Sequence, residues 1–171
     1  VVGDRRTESV IVDGDKMPGA RFFPDAELNF AENLLQSRGS SPAIIFRGED
    51  KVRRELSWDD LQRQVSRLSQ CLRASGIRAG DRCAGFVPNM PEAVMAMLAC
   101  ASIGAVWTSC SPDFGVQGVL DRFGQVQPRV LFAADGYYYN GKSHDSLARI
   151  AECVAKLPRV ERVIIFPYLS D

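Results

Sequence analysis

The stretch "GYYYNGKS", Gly136 to Ser143, fits the phosphate-loop pattern G-x-x-x-x-G-K-[ST] letter for letter. Such a loop needs small residues so that successive backbone N–H groups can close around phosphate oxygens, a lysine for charge and a hydroxyl for a metal. The context is mixed. "RVLFAAD" reads as a strand just before it and a helical pattern begins just after, as a phosphate loop demands. Against this, Tyr137, Tyr138 and Tyr139 would crowd a nest of amides, and several strands precede the motif where a nucleotide loop usually follows the first. Only 28 residues follow Ser143, and the last strand-like run, "IIF", has no acidic residue at its tip to hold magnesium. The local reading is therefore a tyrosine-rich connection whose rings cover the end of a sheet, with Asn140 and Gly141 in a turn and Lys142 in solvent. A phosphate-loop nucleotide-binding domain stands as the alternative.

Other residues that could do chemistry have plainer readings. Cys110, between Ser109 and Ser111, has the look of a nucleophile, but no histidine stands near it in sequence and a small packed thiol is favoured. The one histidine, His144, reads as a capping or exposed residue at a helix start. Trp107 closes an apolar run and reads as core more readily than as a stacking platform. Asp113 and Asp121 are expected to cap and solvate a helix after Pro112 rather than to act as paired carboxylates. "KVRREL" reads as a solvated edge strand, and "MAML" as the buried face of a helix.

The elements that must position these residues follow from periodicity. From residue 82 onward strands and helices alternate: strands at 82–87, 105–109, 129–133 and 162–166, with helices opened by Pro91, through "GVLDRFGQV" and through "SLARIAECVAKL". Apolar strands alternating with amphipathic helices predict an α/β fold, a mostly parallel doubly wound sheet with helices on both faces. Upstream, Asn29 with Glu32 suggests a cap for a short helix, and "AIIF" should pair with "RREL". Ser57 should cap a helix whose apolar residues Trp58, Leu61, Val65, Leu68 and Leu72 repeat at three- and four-residue steps. Open parallel sheets bind ligands at the carboxyl ends of their strands, so the loops at 88–90, 109–114, 134–143 and 167 onward are the places to look.

Composition excludes some classes. The 171 residues carry 21 basic and 21 acidic side chains, which gives no electrostatic footprint for nucleic acid or an acidic membrane. The longest apolar stretch, "AVMAMLACASIGAVW", is too short for a membrane span. Five irregularly spaced cysteines suit reduced thiols in the cytosol, and no secretory leader is visible. The chain starts at Val1, so a fragment or processed piece is expected.

Longer stretches carry a resemblance: "MPGARFFPDAELNFAENLL", "ELSWDDL", "PNMPEAVMAMLACASIGAVWTSCSPDFGVQGVLDRFGQVQPRVLF" and "DGYYYNGK". From about Met17 to the end, the chain resembles the adenylate-forming acyl-CoA synthetase superfamily. Members that activate acetate or propionate typically run through a glycine pair and a phenylalanine where this chain has Trp107, Thr108, Ser109 and Cys110, which points to the acetoacetate branch. The resemblance implies a ligase in which acetoacetate and MgATP give an acyl-adenylate and pyrophosphate, after which the CoA thiol displaces AMP. The ATP-site motifs of such enzymes, a Ser/Thr/Gly-rich loop, an aromatic and acidic motif, a ribose-binding aspartate and a C-terminal lysine, are not in this sequence. By analogy they lie beyond Asp171. No catalytic residue and no metal ligand are expected in this segment, and alone it is expected to be inactive. Residues 1–28 would form an amino-terminal arm and 29–171 the first, incomplete part of the adenylation domain. In relatives, loops matching two of this chain's approach the nucleotide end of CoA. Carried over, these are Trp107, Thr108 and Ser109, and the loop ending in Lys142, where Tyr138 stands in place of the relatives' arginines. A non-catalytic truncated module that binds CoA or pairs with another chain is the remaining alternative.

Overall fold

Four short apolar runs become the parallel strands of one sheet, and the residues between them become the helices that cover it. The structure, a computed structural model, describes residues 2–4, 8–49 and 51–170. In chain order the elements are β1 (Ile11–Val12), β2 (Arg21–Phe22), α1 (Phe30–Leu34), β3 (Pro42–Gly48), β4 (Val52–Ser57), α2 (Trp58–Ala74), β5 (Arg82–Phe86), α3 (Pro91–Ser102), β6 (Val106–Cys110), α4 (Val116–Val126), β7 (Val130–Ala134), β8 (Gly136–Tyr139), β9 (Lys142–Asp145), α5 (Leu147–Ala155) and β10 (Arg162–Phe166).

The main sheet has the order β10-β7-β5-β6, and every neighbouring pair is parallel. From β5 the chain passes through α3 to β6 on one side, then returns through α4 across β5 to β7, and continues through α5 to β10. Right-handed crossovers in opposite directions put helices on opposite faces. Two cores result. On one face Leu61, Val65 and Leu72 of α2 and Leu98 of α3 pack with Cys83, Val130 and Phe132; on the other Val119, Phe123 and Ile150 pack with Phe86, Leu131 and Ala133. Alternate residues of β7 feed the two cores, so the whole strand is buried and reads as an unbroken apolar run.

The upstream helices are fixed by their caps. Ser57 and Asp60 form a reciprocal capping box on α2, and Asn29 accepts the Glu32 N–H at the start of α1 while its amide donates to the Ala101 carbonyl. β3 and β4 pair antiparallel as a separate two-stranded ribbon. Among residues 1–28, β1 pairs with β2, and Asp4 bridges to Glu27.

Three expectations need correction. The α4 N-cap is Gly115, not Asp113, because the turn at Ser111–Phe114 intervenes, and Asp121 instead accepts from Gln117 on the same helix. His144 lies inside β9 and stacks on Tyr137 at 5.0 Å rather than starting a helix, because α5 begins three residues later. The "KVRREL" strand is not merely solvated: Arg54 forms a bidentate pair with Glu92 at 2.5 and 2.8 Å and lies over the Phe46 ring. That pair anchors the β3–β4 ribbon to the start of α3.

Candidate functional site

At the carboxyl end of the sheet the connection leaving β5 goes to α3 on one face, while that leaving β7 leads to α5 on the other. The carboxyl end of the β5–β7 pair is therefore the topological switch point, the place where open α/β sheets hold ligands. Around it stand the turn at 88–90, the exit of β6, the β8–β9 hairpin and the segment 167–170.

The phosphate-loop spelling folds as that hairpin. Gly136 pairs with Asp145, Tyr137 with His144, Tyr138 with Ser143 and Tyr139 with Lys142. Asn140 and Gly141 form a two-residue turn with φ of 51° and 73°, the left-handed geometry that an Asn-Gly hairpin turn requires. In this extended backbone alternate amides face the partner strand and the others point away from it, so they do not converge on a phosphate as a cradle requires. Each glycine of the pattern has its own steric reason. Gly141 supplies the positive φ, and at Gly136 a methyl group would collide with Leu169 and with the His144 carbonyl. Tyr138 meets Tyr168 edge-on at 5.5 Å, and Tyr139 is 68% exposed. Lys142 is exposed and has no ion-pair partner among the described residues. The hairpin tip is held by the Gly141 N–H, which donates to Glu49 at 3.0 Å.

Asp135, the residue between β7 and β8, organises the neighbouring segment. Its carboxylate accepts the backbone N–H groups of Tyr168 (2.8 Å), Leu169 (3.0 Å) and Ser170 (3.0 Å), and the Ser170 hydroxyl at 2.7 Å. Its own N–H donates to the Phe166 carbonyl and its carbonyl accepts from Ser146. Burial pushes the carboxyl up, but the hydrogen bonds from Ser170, Leu169 and Tyr168 outweigh it, so the group is held below its ordinary range. No reading of the sequence marked Asp135. Its signal was an acidic residue directly after an all-apolar strand, in "LFAAD".

β6 is an edge strand of the sheet. Trp107 is half-buried, with its ring 5.6 Å from that of Phe132, and it reaches Phe132 by lying over Gly85 of β5. The row continues to Phe166, stacked 5.8 Å from Phe132. Thr108 is half-buried, Ser109 is exposed, and Cys110 is buried with its thiol pushed up to about 11 by burial. The last observation matches the packed-thiol reading. Trp107, Thr108 and Ser109 thus lie together at one edge of the sheet. Lys142 stands apart from them, on a hairpin that rests against Tyr168 after β10 and against Glu49 of the β3–β4 ribbon.

Residues 30–170 match the family model for AMP-binding enzymes. The chain belongs to the AMP-binding enzyme family. Acetoacetyl-coenzyme A synthetase of Rhizobium meliloti (strain 1021) is 58% identical over 164 residues, covering 96% of this chain and 25% of that protein. Malonamoyl-CoA synthetase vrtB of Penicillium aethiopicum is 39% identical over 168 residues, covering 94% of this chain and 23% of that protein. Among solved structures, acetoacetyl-CoA synthetase from Streptomyces lividans superposes with a TM-score of 0.94 at 46% identity, over 100% of this chain and 27% of that one. The chain spans about a quarter of the length of the curated relatives it matches. For this AMP-binding enzyme family member, then, the phosphate-loop spelling is a coincidence of letters carried by a hairpin. Among the described residues no group of three or more His, Cys, Asp and Glu side chains could hold a metal ion, and no helix is long and apolar enough to cross a membrane.

Proposed function

We propose that the protein is an acid–thiol ligase that converts acetoacetate, ATP and CoA to acetoacetyl-CoA, AMP and pyrophosphate through an acyl-adenylate. The observation that carries this reading is the likeness, over the whole chain, to the acetoacetyl-CoA synthetase of Streptomyces lividans at 46% identity. Residues 29–171 are read as the first part of the adenylation domain and 1–28 as an arm before it. The setting is the cytosol, a reading supported by five free cysteines. In the first step the carboxylate of the acid would attack the α-phosphorus of ATP and pyrophosphate would leave, with magnesium, where bound, supplying charge neutralisation for the phosphates. The groups for that step are assigned to the remainder of the protein.

This chain's own part is on the CoA side. The Lys142 ammonium would pair with a phosphate of CoA, and the edge strand carrying Thr108 and Ser109 would offer hydroxyl and backbone donors to the nucleotide end. Trp107 holds that edge in place through Phe132. In the complete enzyme, Lys142→Ala should raise the KM for CoA and leave acetoacetate-dependent exchange of labelled pyrophosphate into ATP unchanged. Equal loss in both half-reactions would refute the assignment.

A second acid has support in the 39% identity to a malonamoyl-CoA synthetase. Malonamate and acetoacetate are both short acids with a carbonyl on the β-carbon. Comparing the two in the pyrophosphate exchange assay decides between them, and acetate serves as the acid lacking that carbonyl.

A further inference from the structure

We propose that Asp135 is a positioning residue for the β8–β9 hairpin and sets the place of Lys142 at the ligand edge of the sheet. The proposal rests on the CoA-side reading of Lys142. Asp135 makes no contact with the hairpin tip, so it acts through the segment it ties down. Its carboxylate holds the backbone of Tyr168, Leu169 and Ser170. The side chains of the first two are the bed on which the hairpin lies: the Tyr168 ring meets Tyr138, and Leu169 sits so close over Gly136 that a methyl group would not fit. On the other side, the Asp135 carbonyl accepts the Ser146 N–H, which fixes the strand where it leaves the hairpin for α5. One residue therefore controls both the surface under the hairpin and its two roots. At the far end, among the described residues, the tie is the hydrogen bond from Gly141 to Glu49.

The lever is long enough to matter. Three steps of strand separate Gly136 from Tyr139, the partner of Lys142, which is roughly 10 Å at about 3.3 Å per residue. A tilt of about 6° at the base would carry the tip by about 1 Å and change how closely the ammonium can approach a phosphate held elsewhere in the site.

The test is Asp135→Asn in the complete enzyme, read in two ways. Asparagine keeps the shape but turns an amide toward the Ser170 donors. Hydrogen exchange should accelerate in the peptides covering 136–145 and 167–170 and stay as in the wild type over α2 and α3. The KM for CoA should rise about two- to fivefold, and by no more than in Lys142→Ala, while acetoacetate-dependent pyrophosphate exchange stays within twofold. Ser170→Ala, which removes one of the four hydrogen bonds, should give an intermediate shift in both. Unchanged hydrogen exchange over 136–145 would overturn the proposal. So would equal losses in CoA use and pyrophosphate exchange, since a merely structural role would damage both. If exchange over 136–145 accelerates but the KM for CoA does not move, the tie is real and the link to CoA through Lys142 is wrong. If the wild-type enzyme shows no pyrophosphate exchange, the ligase reading fails, and hydrogen exchange still decides whether Asp135 holds the hairpin.

Discussion

Gly85→Ala tests the packing of the sheet at one atom. A methyl group built at Gly85 falls 2.6 Å and 2.7 Å from the Trp107 ring carbons Cη2 and Cζ2, and 3.2 Å from Val87. Carbon atoms prefer about 3.5–4.0 Å, so the indole must retreat by about 1 Å. Retreat forfeits its contact with Phe132, worth about 0.5–1.5 kcal/mol, and crowding in a closed core adds about 1–3 kcal/mol. Alanine returns about 0.5–1 kcal/mol relative to glycine in a strand. The net expectation is a loss of about 1–3 kcal/mol in urea unfolding, with a red shift of Trp107 emission measured in a Trp58→Phe background. The decisive comparison is a double-mutant cycle with Trp107→Leu. Leucine leaves room for the methyl group, so Gly85→Ala should then be neutral or stabilising. The same cost in both backgrounds would refute the idea that the glycine is there to admit the indole.

The other predictions concern charge and the hairpin. The Arg78 amide and then Arg129, acting against burial, hold the Asp81 carboxyl below its ordinary 3.8. Its folded pKa is thus the lower one, and its contribution is complete above the unfolded value and lost as pH falls through the folded one; the stability gap between wild type and Asp81→Asn should be constant from pH 7 to 5 and close below about pH 4. Gly141→Ala meets nothing within 4 Å and carries only the cost of a positive φ, about 1–2 kcal/mol, whereas Gly136→Ala drives a methyl group into the His144 carbonyl; thermal unfolding should rank Gly136→Ala as the more damaging, and the reverse order would refute the hairpin packing. Under the proposed CoA contact, Lys142→Arg in the complete enzyme should keep most of the affinity for CoA, since a charge on a hairpin is all that the proposal requires, and a loss as deep as that of Lys142→Ala would argue for a tight cradle instead.

The strands of the main sheet were legible to within about a residue, because a buried parallel strand must be apolar along its whole length and the helices between them repeat at helical spacing. The Asn140–Gly141 turn was legible too, as a dipeptide that favours left-handed backbone. The spelling pulled toward a phosphate loop only because the pattern records residue types and not the pairing of their amides. Contacts that depend on strand order were not legible. Trp107 can lie over Gly85 and reach Phe132 only if β5 sits between β6 and β7, and alternation alone does not say in which direction the chain turns back. Asp135 takes its partners 33 to 35 residues later, and Arg54 takes Glu92 38 residues later. Such pairs leave no periodic trace. They were also the places where simple surface readings failed, since a charged residue in a strand-rich stretch reads as solvated until its partner arrives.

Under the proposed CoA contact, a lysine in a phosphate-loop spelling would serve a different kind of recognition. A loop of unpaired amides reads the shape of a phosphate, because each N–H points at a particular oxygen. In the hairpin the extended backbone points successive amides in opposite directions, so no nest forms, and what the tip offers is one ammonium on a flexible stem beside an exposed tyrosine. A point charge of that kind selects by sign and by where the scaffold holds it, not by the shape of the anion. Specificity must then come from placement. That shifts the burden from Lys142 itself to the residues that fix the hairpin at both ends: Glu49 at the tip, and at the base Asp135 with Tyr168 and Leu169, whose backbone it ties.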